Sequence, residues 1–179
     1  MAITQLENGF IFVPRGDWDS SVDFPSGNVQ RPVKKVFLHH TVTKATDDPC
    51  ADARTVERIL DARSLDGYSY LVHPSGVVLE FAGSRRGEHT GGHNSTSYAF
   101  SFIGNYDQQQ ATLVQLVNTA RCLNLMRLKG DVHRDLGKVE ILPHAAVKAT
   151  ACPGVNLRAN VIHGRNTMQW IRWFAATGA

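Results

Sequence analysis

Residues 141–154 read ILPHAAVKATACPG, and they place His144 and Cys152 eight positions apart, with Pro153 and Gly154 directly after the cysteine. This spacing is too long for one face of a helix and is typical of a loop that folds back on a metal ion. A histidine and a cysteine need only one further protein ligand to form a zinc site with an open fourth position, which is the form that catalytic zinc takes. The sequence therefore predicts a third ligand upstream.

The apolar run KVFLHH, residues 35–40, offers two histidines for this role. It lies between Pro32 and a threonine-rich segment, and it is typical of a buried strand. Neighbouring side chains on a strand face opposite sides, so only one of His39 and His40 can reach a shared metal ion. The residues alone leave open which one binds, and either could instead be a core histidine bonded to a backbone carbonyl.

The composition indicates one globular domain spanning residues 1–179. Of the 179 residues, 42% are hydrophobic and 20% are charged, and a chain of this length is too short for two full domains. The net charge of +3 suits a polyanion such as a bacterial wall, but without a Lys/Arg block we expect no nucleic-acid partner. Three cysteines make an odd set, which argues against a disulfide framework and favours synthesis in a reducing compartment.

The amino-terminal residues carry no recognisable export signal. Their one short apolar run, Phe10–Val13, has no basic region before it and no small-residue cleavage site after it. No stretch approaches the ~20 apolar residues of a membrane span. We therefore expect a protein without a membrane span that is made in the cytoplasm.

Helix and strand patterns alternate along the chain. Asp47 or Asp48 can cap a helix that has Pro49 in its first turn. The predicted helices span residues 47–64, 111–128 and 167–176. The predicted strands span residues 10–13, 35–40, 68–72, 77–81 and 98–103, with the third and fourth forming a hairpin, and the segments 82–96 and 131–140 are predicted to be irregular. This alternation favours an α/β domain with a central mixed β-sheet flanked by helices.

Several motifs together resemble a known family. In chain order they are VPRGDW (13–18), FLHHTVT (37–43), GYSY (67–70), Gly76, His89, Asn94, the strand after Ser97, and residues 144–154. In order and spacing they resemble the type 2 zinc-dependent N-acetylmuramoyl-L-alanine amidases, a family that also includes peptidoglycan recognition proteins and short phage lysozyme-amidases. The resemblance covers about residues 9–160, nearly the whole chain.

The resemblance implies the ligands of a Zn²⁺ ion and one catalytic group. His39, His144 and Cys152 would hold the zinc, and His40 would point away from it. Members of the family use the tyrosine of the G-Y motif, here Tyr68, as a hydrogen-bonding catalytic group. Tyr70 is the alternative if the register differs by two residues.

The resemblance also implies a second catalytic group, from its position relative to the cysteine. Members of the family place a Lys or a Thr two residues before the metal-binding cysteine, and here that residue is Thr150. Threonine does not bring the positive charge of lysine, and Lys148, two residues off this position, is expected to be solvated. A carboxylate base, used by other branches of the family, has no clear match, although Glu80 and Glu88 are candidates.

The remaining polar residues are predicted to lie either in a substrate groove or at the protein surface. His89 and Asn94 lie in the loop that lines the peptide and glycan groove in the family, so the resemblance implies that they contact substrate. His73, His133 and His163 are expected at the surface.

The implied activity is that of a zinc-dependent hydrolase that cleaves the amide bond between N-acetylmuramic acid and L-alanine of peptidoglycan. The phage members suggest an endolysin amidase for host-cell lysis: a monomer, made in the host cytoplasm and acting at the cell wall, with a separate wall-binding domain outside this chain. The alternative is a non-catalytic peptidoglycan-binding recognition module, but such modules typically lack the cysteine that Cys152 supplies. A regulatory partner of a phage polymerase is a third hypothesis.

Overall fold

The computed structural model describes residues 4–6, 9–159 and 166–177, and within them a seven-stranded sheet forms the centre of the molecule. The strands are β1 Thr4–Leu6, β2 Phe10–Val13, β3 Lys35–His40, β4 Tyr70–Val72, β5 Val78–Glu80, β6 Ser97–Phe102 and β7 Glu140–Pro143. The helices are α1 Pro49–Asp61, α2 Leu113–Leu128, α3 Val155–Ala159 and α4 Thr167–Thr177. Short 3₁₀ turns cover Arg15–Asp17, Leu136–Lys138 and His144–Ala146. His163 lies outside the described residues.

The sheet is mixed, with the strand order β1-β2-β5-β4-β6-β3-β7. β1 pairs with β2, and β4 with β5, in the antiparallel direction, while β2–β5, β4–β6, β6–β3 and β3–β7 are parallel. The predicted α/β class with a central mixed sheet is confirmed. The hairpin predicted between 68–72 and 77–81 is the β4–β5 pair.

Helices cover both faces of the sheet, so the protein has two apolar clusters. On one face Val56 and Leu60 of α1 pack against Leu71 and Leu79 of the β4–β5 pair. On the other face a larger cluster includes the buried residues of α2 and α4. Parallel strands that are covered on both sides consist of nearly continuous apolar residues, and this explains why the run in β3 has no alternating polar positions.

Capping residues fix the beginnings of the two long helices. Asp48 accepts hydrogen bonds from the backbone N–H groups of Cys50 and Ala51 at 2.9 and 3.0 Å. Thr112 and Gln115 form a capping box at the beginning of α2. These caps satisfy N–H groups that the first helical turn leaves without partners. None of the helices in the described ranges is long and apolar enough to cross a membrane.

The strand β7 and the burial of His73 differ from the sequence-based predictions. Residues 131–140 were expected to be irregular, but β7 begins at Glu140 and runs parallel to β3. His73, which we expected at the surface, is 3% exposed. Its Nε2 lies 2.9 Å from the carbonyl oxygen of Thr46, and a buried imidazole requires such a partner.

Candidate metal centre

The sheet register brings His39 and His144 to the same place. Leu38 of β3 is aligned with Pro143 of β7. The residues that follow this pair, His39 within β3 and His144 directly after β7, therefore lie at the same edge of the sheet. The carboxyl ends of adjacent parallel strands are where open α/β sheets commonly place their ligand sites. The short strand β7 thus accounts for the position of the second histidine.

His39 and His40 point to opposite faces. Residues that are aligned on neighbouring strands share a face of the sheet, and His39 is aligned with Ser101, which is aligned with Leu71 on the α1 side. His40 is aligned with Phe102, which packs in the α2 cluster. The Nδ1 atom of His40 accepts a hydrogen bond from the backbone N–H of Tyr106 at 3.2 Å. His40 therefore has a structural contact of its own on the opposite face.

Cys152 approaches the two candidate ligand histidines, His39 and His144, from the loop after β7. Its Sγ lies 3.5 Å from His39 Nδ1, and one ligand atom of each of His39, His144 and Cys152 can be chosen so that all three lie within 4.8 Å of one another. The rings of His39 and His144 have their centroids 4.4 Å apart. Zinc bonds of about 2.1 Å to nitrogen and about 2.3 Å to sulfur place tetrahedral ligand atoms about 3.5 Å apart, so the three residues fit a zinc ion.

The backbone two residues after Cys152 requires a glycine, Gly154. Its φ is +93°, and a Cβ at this position would lie 2.5 Å from the carbonyl carbon of Tyr106. Only glycine accommodates both this conformation and this close approach of two backbones. The turn allows the chain to bring Cys152 back toward the sheet.

The electrostatic environment favours the neutral form of the two candidate ligand histidines. Burial lowers the pKa of His39 well below its ordinary value, and the nearby His89 and His144 lower it further. Burial, and then Lys148, lowers the pKa of His144. The Nε2 atom of His144 is buried without a hydrogen-bond partner. Neutral imidazole is the form that binds metals, and a buried nitrogen without a partner is consistent with a ligand position.

The thiol of Cys152 depends on a cation for its ionisation. Burial raises the pKa of this thiol to about 11, although a backbone hydrogen bond from His40 and the charge of Arg158 act in the opposite direction. A metal ion deprotonates a coordinating thiol outright. The cysteine would therefore be a thiolate only when the metal is bound.

Tyr68 and Thr150 flank the three ligand residues. The ring centroid of Tyr68 lies 5.2 Å from that of His39, and burial, then the nearby Cys152, raises the pKa of its hydroxyl, which stays protonated. The Oγ1 atom of Thr150 accepts a hydrogen bond from the backbone N–H of Cys152 at 3.2 Å. That bond uses an oxygen lone pair and leaves the hydroxyl proton free to donate. Tyr70, the alternative to Tyr68, is buried in the α2 cluster and stacks on Phe100.

Seven of the predicted site residues line one open cleft of about 800 Å³, whereas the candidate base Glu80 does not line it. They are His39, Tyr68, His89, Asn94, His144, Thr150 and Cys152. Lys148, which we expected to be solvated, is an exposed residue at the rim of this cleft, and Glu88 also lines it. The cleft also exposes Val42, whose side chain is 59% accessible. The structure thus brings the candidates together, while their individual roles stay predictions.

The loop 82–96 contributes one residue that the sequence analysis missed. Thr90 is 1% exposed, and its Oγ1 lies 3.2 Å from His39 Nε2 and 3.0 Å from His89 Nδ1. Asn94 braces this part of the loop, because its Oδ1 accepts hydrogen bonds from the backbone N–H groups of both His89 and Thr90. The only signal in the sequence was the position of Thr90 between a candidate histidine and two glycines.

Comparison with known proteins identifies relatives in sequence and in fold. A peptidoglycan-recognition protein of Drosophila melanogaster is 30% identical over 156 residues, which are 81% of this chain and 82% of that protein. The structure of bumblebee PGRP-SA superimposes with a TM-score of 0.75 at 30% identity, covering 84% of this chain and 92% of that one. A Drosophila PGRP-LB mutant in complex with tracheal cytotoxin has a TM-score of 0.76, covers 84% of this chain and 92% of that one, and at 22% identity supports the fold alone.

The predicted localisation is wrong. We expected a protein made in the cytoplasm of a host cell and acting at the cell wall as a phage endolysin, because the amino-terminal residues carry no recognisable export signal. The relatives are instead insect peptidoglycan-recognition proteins, which point away from a cytoplasmic, phage-type origin. The lack of a signal pattern was too weak an observation to decide between the branches of the family.

The comparison also identifies the family. The sequence model described as N-acetylmuramoyl-L-alanine amidase matches residues 29–155, more than half of the chain. This range includes the ligand histidines, the loop 82–96 and Cys152. The chain belongs to the N-acetylmuramoyl-L-alanine amidase family.

Proposed function

We propose that the protein is a zinc-dependent hydrolase that cleaves the amide bond between N-acetylmuramic acid and L-alanine of peptidoglycan. The observation that carries this proposal is the cluster of His39, His144 and Cys152, with ligand atoms within 4.8 Å in an open cleft. Three protein ligands leave a fourth position for water or substrate, as in catalytic zinc sites. Membership of the N-acetylmuramoyl-L-alanine amidase family supports this choice of substrate class and reaction.

The three ligands would hold the ion in a weakly positive site. Two neutral imidazoles and one thiolate leave Zn²⁺ with a formal charge of +1. When bound, zinc supplies a Lewis acid and lowers the pKa of a coordinated water toward neutrality. The Nε2 of His39 faces Thr90 and its Nδ1 faces Cys152, so Nδ1 is the nitrogen that would bind.

Two hydroxyl groups would stabilise the negative charge that develops on the substrate carbonyl oxygen. The Thr150 hydroxyl is held by the Cys152 N–H through its lone pair and can donate its own proton. The Tyr68 hydroxyl is protonated because burial raises its pKa, so it can also donate or orient the attacking water. Donors that are positioned before the reaction begins are worth more than mobile ones, since they need no reorganisation.

His89 and Asn94 would bind the peptide or glycan. Burial lowers the pKa of His89 to about 4, so its ring is neutral near pH 7. Its Nε2 is buried without a partner, and a bound substrate group can supply one. Asn94 uses Oδ1 to brace the loop and keeps its amide Nδ2 for a ligand.

A non-catalytic recognition module is the second candidate function. The names of the relatives, peptidoglycan-recognition proteins, favour it. In such a module the cleft would hold peptidoglycan without cutting it. Both candidates predict peptidoglycan as the partner, and they differ in metal content and in bond cleavage.

One experiment separates the two functions. The purified protein is loaded with zinc, its metal content is measured, and the release of new L-alanine amino groups from purified peptidoglycan is followed. The hydrolase predicts one zinc per chain and a steady release, both lost in Cys152→Ser. Cys50→Ser, which changes a free thiol outside the cleft, is the matched control. Wall binding by the zinc-loaded protein without any release would contradict the hydrolase and support the recognition module.

A further inference from the structure

The hydroxyl of Thr90 lies between two imidazole rings. Its Oγ1 is 3.2 Å from His39 Nε2 and 3.0 Å from His89 Nδ1. Thr90 is 1% exposed, His39 is 1% exposed and His89 is 7% exposed. Water therefore has little access to these contacts, and the three side chains must satisfy one another.

A hydroxyl has one proton to donate and two lone pairs that can accept. Among the described residues, the two ring nitrogens are the partners of Thr90 Oγ1. If both rings donated to it, the buried Thr90 proton would have no acceptor, so one ring must accept. If His39 Nε2 carries a proton, it donates to Thr90, and Thr90 can donate to an unprotonated Nδ1 of His89. If His89 Nδ1 carries the proton, the direction reverses, and His39 Nε2 must accept. In this second arrangement a neutral His39 carries its proton on Nδ1, the nitrogen that faces Cys152.

A metal ion on His39 Nδ1 is compatible with only one of these arrangements. Coordination occupies the Nδ1 lone pair, so a neutral His39 then carries its proton on Nε2. That proton is donated to Thr90, the Thr90 proton turns to His89 Nδ1, and His89 is left with its proton on Nε2. Partners of this kind, which hold the tautomer and orientation of a ligand histidine, commonly contribute 10- to 100-fold to metal affinity or activity.

We propose that Thr90 is a positioning residue for the ligand His39, and that metal binding fixes His89 as the tautomer that carries its proton on Nε2. The inference rests on the proposed metal centre. The Nε2 atom of His89 is buried without a hydrogen-bond partner, and His89 lines the cleft. Once the metal is bound, this atom would be a fixed hydrogen-bond donor. The chemistry that it recognises is an acceptor oxygen, such as a carbonyl of the bound peptide or glycan.

The loop holds His89 and Thr90 in this arrangement independently of the metal. Asn94 Oδ1 accepts from the backbone N–H of His89 at 3.1 Å and from that of Thr90 at 2.7 Å. The backbone of both residues is therefore fixed by one side chain. A change of the hydroxyl alone can remove the coupling while this bracing remains.

The test compares Thr90→Val with Thr90→Ser. Valine has nearly the shape of threonine without the hydroxyl, whereas serine keeps it. Zinc affinity, measured by competition with a chelator, should fall about 10-fold or more in Thr90→Val and stay within about 3-fold of the unchanged protein in Thr90→Ser. Thermal unfolding of the metal-free variants shows whether each one folds.

A second measurement needs no variant of Thr90. The ring nitrogens of histidine, followed by ¹⁵N NMR and assigned with a His89→Gln sample, report the tautomer of His89 directly. In the zinc-bound protein we expect the proton on Nε2 and an unprotonated Nδ1 that accepts a hydrogen bond. A zinc-bound His89 with its proton on Nδ1 would overturn the inference, as would a folded Thr90→Val that binds zinc as tightly as the unchanged protein.

These outcomes are distinct from a failure of the proposed function. If the unchanged protein binds no zinc, both the metal centre and this inference are wrong. If it binds one zinc and the Thr90→Val result is negative, only the inference is wrong. A protein that binds zinc and shows the expected tautomer but cuts no peptidoglycan would support the inference and contradict the hydrolase.

Discussion

At the scale of the residue, the alternation of side chains along β3 places His39 and His40 on opposite faces of the sheet. His39 faces Cys152 and Thr90, while His40 binds the backbone N–H of Tyr106 on the other face. The period of a strand predicts that only one of the pair can share a metal with His144. The period does not predict which of the two histidines faces the cleft, because that depends on how the preceding loop orients the strand.

Alanine substitution of each histidine should give different results. His39→Ala removes a ligand and should abolish stoichiometric zinc binding. His40→Ala should keep the zinc but lower the free energy of unfolding by about 1–3 kcal/mol, since it leaves a buried N–H without a partner. Metal analysis and urea unfolding measure the two effects, and loss of zinc in both folded variants would contradict the assignment.

Substitutions of Thr150 and of Lys148 can show which of the two donates a hydrogen bond to the reacting oxygen. Thr150→Val should lower kcat about 10²-fold, the usual effect of removing one such donor, with little change in zinc content. Thr150→Ser should restore most of the rate. Lys148→Ala, at the exposed rim of the cleft, should change it only a few-fold. A larger loss in Lys148→Ala than in Thr150→Val would reverse the assignment.

At the scale of the element, long helices were easier to predict than the short strand that completes the site. α1 and α2 have capping residues and several turns of apolar spacing, so a cap at Asp47 or Asp48 and a helix over 111–128 were recognisable. β7 has four residues and ends in a proline, and only Ile141 among them is fully buried. A parallel edge strand gains its stability from the neighbour that it pairs with, which local sequence does not show. Thr90 was missed for the same reason, because its contacts are made across the fold.

The cap of α1 should contribute to stability without affecting the metal. Asp48→Ala removes the acceptor for two N–H groups of the first turn and should cost about 1 kcal/mol of unfolding free energy. Asp47→Ala, at an exposed neighbouring position, is the matched control and should cost much less. Denaturant unfolding checks the difference, and zinc affinity should be equal in both variants. Equal destabilisation by the two changes would argue against the capping role.

At the scale of the whole molecule, histidines that fold into a neutral state make the free energy of unfolding depend on pH. Burial lowers the pKa of His39, His89 and His144, so the unfolded chain binds more protons below about pH 6.5 than the folded chain does. For His89, whose pKa falls to about 4, the difference corresponds to up to about 3 kcal/mol at low pH. The stability is fully present above the ordinary histidine pKa and is lost as the pH falls toward the folded value.

The metal-free protein should therefore unfold more easily at pH 5 than at pH 7. Urea unfolding at the two pH values, in the presence of a chelator, measures the change in free energy. His89→Gln should weaken this pH dependence, since it removes one of the groups that titrate. An unfolding free energy that stays constant over this range would contradict the neutral, buried state of the histidines.

The edge position of β7 divides the candidate metal ligands between two parts of the sheet with different neighbours. β3 is bonded on both sides, to β6 and β7, whereas within the described residues β7 pairs with β3 alone. Local unfolding of that edge would carry His144 away from His39 while the rest of the sheet stays folded, and edges are where such openings require least free energy. A bound ion would link His39 on β3 to His144 after β7 and so oppose the local unfolding of this edge. Zinc should then slow backbone hydrogen exchange in β7 far more than in β4 or β6, and equal slowing in all three strands would show that the sheet opens only as one unit.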